Sequence, residues 1–144
     1  MVTVPFNATR CQRHLPVDIW GGLEKRDQFI LLDDLEVELP DQRWIIIPKG
    51  FVSDGASIPP LLWSILPFFD NRIEIVWVLH DYLYIHWEKT QIITTNPRLY
   101  ADKVMYTMSK QYDPAKLFRH KLYYMGVRLG GKANWEKFRK IAQL

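Results

Sequence analysis

Cysteine is almost missing from this chain: Cys11 is the only one in 144 residues. No internal disulfide can form, and the cysteine clusters of structural zinc sites are excluded. Packing must therefore hold the fold. A domain of this length buries roughly 70% of the surface its unfolded chain exposes. With 48% hydrophobic and 14% aromatic residues, the chain can build that core. Long hydrophobic runs are missing too. No uncharged apolar stretch approaches the ~18 residues of a membrane span; residues 73–85 are too short and carry Glu74, His80 and Asp81. Residues 1–7 have no basic region followed by an apolar run, so no signal peptide is expected. Repeats, low-complexity tracts and a phosphate-cradling glycine loop are absent from the sequence.

Acid is scarce at one end. From Pro114 onward there are eight Lys and Arg against Glu136 alone, while the remainder has eleven basic and fifteen acidic residues. A tail of +7 on a body of −4 suits docking on something acidic. A solvated helical face explains the same charges and ranks above nucleic-acid binding, because the tail lacks the interleaved exposed aromatics of a single-strand binder.

The pattern along the chain is α+β, with a small antiparallel sheet in the N-terminal half packed on three to four helices in the C-terminal half. Residues 1–144 read as one domain: an irregular arm over 1–20, a small sheet and loop over 21–58, and a helical part over 59–144. Residues 28–32 form a strand candidate. Residues 35–39 alternate apolar and acidic, the mark of a half-buried strand with Glu36 and Glu38 on its wet face. Residues 43–48 return after a hairpin loop at 40–42. Ser57 is placed to cap a short helix over 61–66, with Pro59 and Pro60 in its first turn. Residues 73–85 are apolar on nearly every side, which predicts a buried central helix near 72–86. Pro97 opens a helix whose Ala101, Val104, Met105 and Met108 share one stripe. Asp113-Pro114 opens another, in which Phe118, Leu122, Met125 and Leu129 follow i, i+4, i+7, i+11 up to Gly130-Gly131. Residues 132–143 form a short basic amphipathic helix with Trp135, Phe138 and Ile141 on one side.

Two adjacent ionisable residues, His80 and Asp81, stand on the buried central helix, where each must find a partner. Asp81 is rotated about 100° from His80. Asp102 interrupts the apolar inner side of the next helix, and Asp54 lies in a turn-rich loop between sheet and helices. Converging Asp54, His80 and Asp102 would make an acidic pocket with one imidazole, a first shell for a divalent ion such as zinc. Asp81 would then orient His80 or act as a base, with Ser57 the other candidate catalytic group. The bland alternative is a buried, satisfied network that fixes how loop and helices dock, with Asp54-Gly55 an ordinary Asx-turn. No strong metal signature supports the sharper reading, since no His recurs at i+4. Ser57 lacks the glycine-flanked elbow of a hydrolase nucleophile. His86 and His120 are expected on the surface.

Phe51-Val52-Ser53-Asp54-Gly55-Ala56-Ser57-Ile58-Pro59, Trp63, His80-Asp81-Tyr82-Leu83-Tyr84, Ala101-Asp102 and Tyr124-Met125-Gly126-Val127-Arg128-Leu129-Gly130-Gly131 occur in that order. This succession resembles a family of small phage and prophage proteins, the domain of unknown function numbered 1353, over roughly residues 49–131. That family's pattern has Asp, a variable residue, then Ala-Ser-Ile-Pro; Gly55 holds the variable place here. Asp54, Ser57, His80, Asp81, Asp102 and Arg128 match its pattern residues. The resemblance implies provenance rather than mechanism: a protein encoded among tail, baseplate or lysis genes, residing in a virion or in host cytoplasm during assembly. Two functions are therefore expected to compete. One is a structural or assembly component, with other phage structural proteins or further copies of itself as partners and with Trp20, Trp63, Phe68, Phe69 or Trp135 exposed for them. The other is a metal-dependent hydrolase of peptidoglycan or another envelope polymer.

Overall fold

In a computed structural model, the structure describes residues 11–14, 28–31, 33–53 and 74–144. Among the described residues five short strands precede five helices, so the α+β architecture is as the sequence predicts. Strands β1 (Cys11–His14), β2 (Gln28–Leu31) and β5 (Val52–Ser53) form one antiparallel sheet in the order β1-β2-β5. Strands β3 (Leu35–Glu38) and β4 (Trp44–Ile47) form a separate hairpin. The expected arm thus contributes a strand: Cys11 pairs with Leu31 and His14 with Gln28. The sequence reading missed it because four residues, CQRH, carry no clear alternation.

The hairpin keeps the register that alternation requires. Leu35 and Val37 are buried opposite Ile47 and Ile45, while Glu36 faces Ile46 on the exposed side. Glu38 departs from the expectation: it shares that outer side yet is buried, across from the bulky Trp44. After β4 the chain turns at Pro48–Phe51, where the Phe51 amide donates to the Pro48 carbonyl at 3.2 Å. Gly50 stands at φ +87°, the third position of a type II turn, where a side chain would be strained.

Helices α1 (Glu74–Ile85), α2 (Trp87–Thr90), α3 (Pro97–Tyr112), α4 (Leu117–Gly130) and α5 (Lys132–Ala142) follow, with a 3₁₀ turn at Pro114–Lys116 between α3 and α4. Residues 75–80 and 82–84 of α1 are all buried, as its all-round apolar sequence demands. It contacts β5, α2, α3 and α5. Asn96 caps α3, its side chain accepting from the Leu99 amide at 3.2 Å, and Pro97 occupies the first turn. Ala101, Val104, Met105 and Met108 face the core, the predicted stripe.

Helix α4 reverses its reading. Its long apolar stripe turns outward, and His120, Tyr123, Gly126 and Val127 are buried instead. His120 is therefore not the surface residue the sequence suggested. Trp135 on α5 is half-buried rather than an open patch, with its ring 5.1 Å from Tyr84 and 5.8 Å from Trp87. The predicted helix over 61–66, and Trp20, Trp63, Phe68 and Phe69, lie outside the described residues.

Candidate functional site

Asp102 is the centre of the polar interior. It projects from α3 into a shell built by three helices and is fully buried. Its Oδ1 meets His80 Nε2 at 2.8 Å and accepts from the Tyr84 hydroxyl at 2.7 Å. Those two donors sit one turn apart on α1, so both reach the same atom. Its Oδ2 accepts from Arg128 of α4 at 2.7 Å and lies 3.5 Å from Arg98, one turn earlier on α3. Each carboxylate oxygen is thus held by a neutral or imidazole donor, or by guanidinium.

The electrostatics follow from that count. Desolvation alone pushes the Asp102 carboxyl up. The hydrogen bond and charge of His80, with the hydrogen bonds from Tyr84 and Arg128, outweigh it and hold the group below the ordinary aspartate range. Asp102 is therefore ionised at neutral pH, and His80 donates to it from Nε2. Burial, then the Asp102 charge and the hydrogen bond to it, pushes the Tyr84 phenol far above its usual value, so Tyr84 remains a donor.

The shell continues outward through backbone. Arg98 also donates to the carbonyls of Val127 and Arg128, at 3.0 and 3.2 Å, and so satisfies the end of α4. Arg139 of α5 does the same for α1, donating to the carbonyls of Tyr84 and Ile85 while its Nε pairs with Glu88 at 2.9 Å. Gly131, at the α4–α5 corner, lets these pieces close up. A Cβ there would stand 2.6 Å from the Val127 carbonyl oxygen and 2.7 Å from the Tyr84 hydroxyl.

Asp81 looks the other way. Its Oδ2 accepts from the Ser53 hydroxyl of β5 at 2.5 Å, a bond between sheet and helices. Nearby, Phe51 packs edge-on to Tyr82 at 5.4 Å. The hairpin is tied separately, by the Tyr100 hydroxyl of α3 donating to Asp41 at 2.7 Å. The two adjacent ionisable residues of α1 therefore serve two different junctions: His80 joins helix to helix, and Asp81 joins helix to sheet.

Of the expected site, His80 and Asp102 come together, and Asp81 faces a different partner. Asp54 and Ser57 lie outside the described residues. Among the described residues no three His, Cys, Asp or Glu side chains gather in a metal-holding group. His86 is half-buried against Phe51 and Tyr82, and burial followed by the charge of Lys89 lowers its pKa. Sequence reasoning did not assign Tyr84, Arg98 and Arg128 to Asp102. Tyr84 and Arg98 are each one turn from a residue already singled out, which is the signal that could have found them. An open groove of about 330 Å³ lined by Arg43, Trp44, Ile45, Thr90, Gln91, Ile92 and Ile93 shares no residue with this cluster.

The model of one protein family, described as a protein of unknown function (DUF1353), matches residues 29–127. No curated protein and no solved structure matches the chain. The family match spans Asp102, His80 and Tyr84 and stops at Val127, next to Arg128.

Proposed function

The chain belongs to the family described as a protein of unknown function (DUF1353), and from that premise we propose that it is an assembly component of a bacteriophage-type particle. Its place would be the tail, the baseplate or the head–tail region. The saturated state of Asp102 carries this reading. A carboxylate whose oxygens accept from His80, Tyr84 and Arg128, with Arg98 3.5 Å away, is committed to the protein's own side chains. Such a cluster fixes the mutual orientation of helices, which a particle subunit needs more than reactivity. The resemblance to small phage and prophage proteins supports the setting. The basic C-terminal tail supports docking on an acidic neighbour.

A second reading has one observation in its favour. A carboxylate on one imidazole nitrogen is the arrangement that presents the other nitrogen to a metal, and Asp102 holds His80 in that way. On this reading the protein is a zinc-type hydrolase of an envelope polymer. Two measurements separate the readings. Purified particles encoded alongside the gene are analysed by quantitative mass spectrometry, and purified protein is assayed for bound zinc beside His80→Ala. The assembly reading expects a fixed copy number in particles and the same low metal content in both proteins. Particles lacking the chain, together with zinc retained by the native protein and lost in His80→Ala, would overturn it.

A further inference from the structure

Helix α4 carries two apolar faces, and the more apolar one is outside. Taking 3.6 residues per turn, Phe118, Leu122, Met125 and Leu129 fall within about 60° of arc. Tyr123, His120 and Val127 lie roughly 140–200° away, toward the core. Phe118 is 76% exposed, Met125 47% and Leu129 84%, with Leu122 half-buried at the base of the row. Scattered exposed apolar residues need no explanation, but a continuous row along one helix does.

The spacing of the row is informative. Steps of four, three and four residues are those of the a and d positions of a heptad, the spacing that inserts knobs into the holes of a facing helix. The flanking positions carry Arg119, Lys121 and Arg128, and residues 114–130 contain no acid. Lys121 is exposed. Arg128 turns back to Asp102.

We propose that this row seats an amphipathic helix of a partner protein that carries acidic residues beside its own apolar seam. The inference deepens the assembly reading and rests on it, since a particle subunit must dock on a neighbour. Charge complementarity selects the occupant. A second copy of the chain would set Lys121 against its own counterpart, and like charges facing each other across a seam oppose pairing. An anionic bilayer suits a broad apolar face that can sink into the headgroup boundary, whereas an arc of about 60° suits a single helix. The α4 helix is about 21 Å long, so one such contact is weak by itself and gains strength through repetition in a particle.

Methionine methyl groups provide the test. Met125 is exposed on the row, while Met105 and Met108 are buried in the core. The full chain is labelled at its methionine methyls and titrated with a designed helical peptide of about three heptads, with Leu at the seam and Glu at the flanking positions. The expected result is a saturable shift of Met125 with Met105 and Met108 unmoved. Added salt should weaken it, and Leu129→Glu should weaken it by roughly tenfold or more, about 1.4 kcal/mol. Leu129 is exposed enough for that variant to fold, which unchanged Met105 and Met108 resonances would verify. The proposal is overturned if the same peptide with Lys at the flanks binds equally well. It is also overturned if Met125 responds to phosphatidylglycerol vesicles and not to the acidic peptide, or if it shifts with protein concentration alone, which would mean a second copy. Failure here with the chain still present in particles removes only the seat. Peptide binding by a chain absent from particles keeps the seat and removes the assembly reading.

Discussion

Among the described residues, two buried Asp–His pairs behave differently. In one, Asp102 and His80 come from neighbouring helices and bond side chain to side chain at 2.8 Å, with Tyr84 and Arg128 completing the carboxylate. In the other, His120 Nε2 bonds the backbone carbonyl of Asp113 at 2.7 Å, and the Asp113 carboxylate lies 3.6 Å away. A carbonyl oxygen only accepts, so Nε2 carries the proton there too. His120 Nδ1, however, has no hydrogen-bond partner. The first pair links three helices through one charge. The second is local, joining the start of α4 to the turn just before it. Identical residue types thus make a tertiary hub in one place and a turn fastening in the other, and the span of chain each pair bridges, 22 residues against 7, makes the difference.

That contrast can be broken most sharply at the carboxylates. Asp102→Ala leaves two guanidinium groups and an imidazole in the interior without their anion, a loss of about 3–5 kcal/mol. Asp113→Ala keeps the carbonyl that His120 uses and should cost less, about 1–3 kcal/mol. Urea denaturation of both variants measures the gap, and equal losses would erase the distinction between hub and fastening. A loss below that of Asp102→Ala is expected from Gly131→Ala. Its methyl would collide with the Val127 carbonyl and the Tyr84 hydroxyl, with a cost of about 1–3 kcal/mol. Near-ultraviolet circular dichroism should change with it, because Tyr84 and Trp135 pack together at that corner. The smallest signal is in acid. The Asp102 carboxyl is depressed in the folded protein, so its stabilisation is present above the unfolded value, about 3.9. It is lost as pH falls through the folded value. The stability gap between native protein and Asp102→Asn should therefore be full above about pH 4 and close below it; a gap that persists in strong acid would mean the charge is not what binds the hub.

Some of this was legible before any coordinates. An element apolar on all sides has nowhere to go but the interior, so α1 was readable without choosing a face. An acid on an otherwise apolar inner stripe must find partners, which groups Asp102 with His80, Asp54 and Asp81 on paper. Faces were harder. Helix α4 has Tyr123 and Val127 on one side and Phe118, Leu122, Met125 and Leu129 on the other, and periodicity finds both without ranking them. His120 was misplaced for that reason, because its burial depends on which side α3 covers. Glu38 went the same way, buried on a strand face whose alternation reads as wet.

The sequence by itself determined the α+β order of elements, the burial of α1 and of one stripe of α3, and the need for a counter-charge at Asp102, because these follow from local period and from the cost of an unpaired interior charge. Tertiary structure alone decided that Arg128 and Tyr84 complete that counter-charge, that Asp81 turns to Ser53, and that the apolar row of α4 stays outside. Those outcomes depend on how helices pack over distances of 18 to 28 residues along the chain, and local sequence pattern holds no information about which faces meet across such separations.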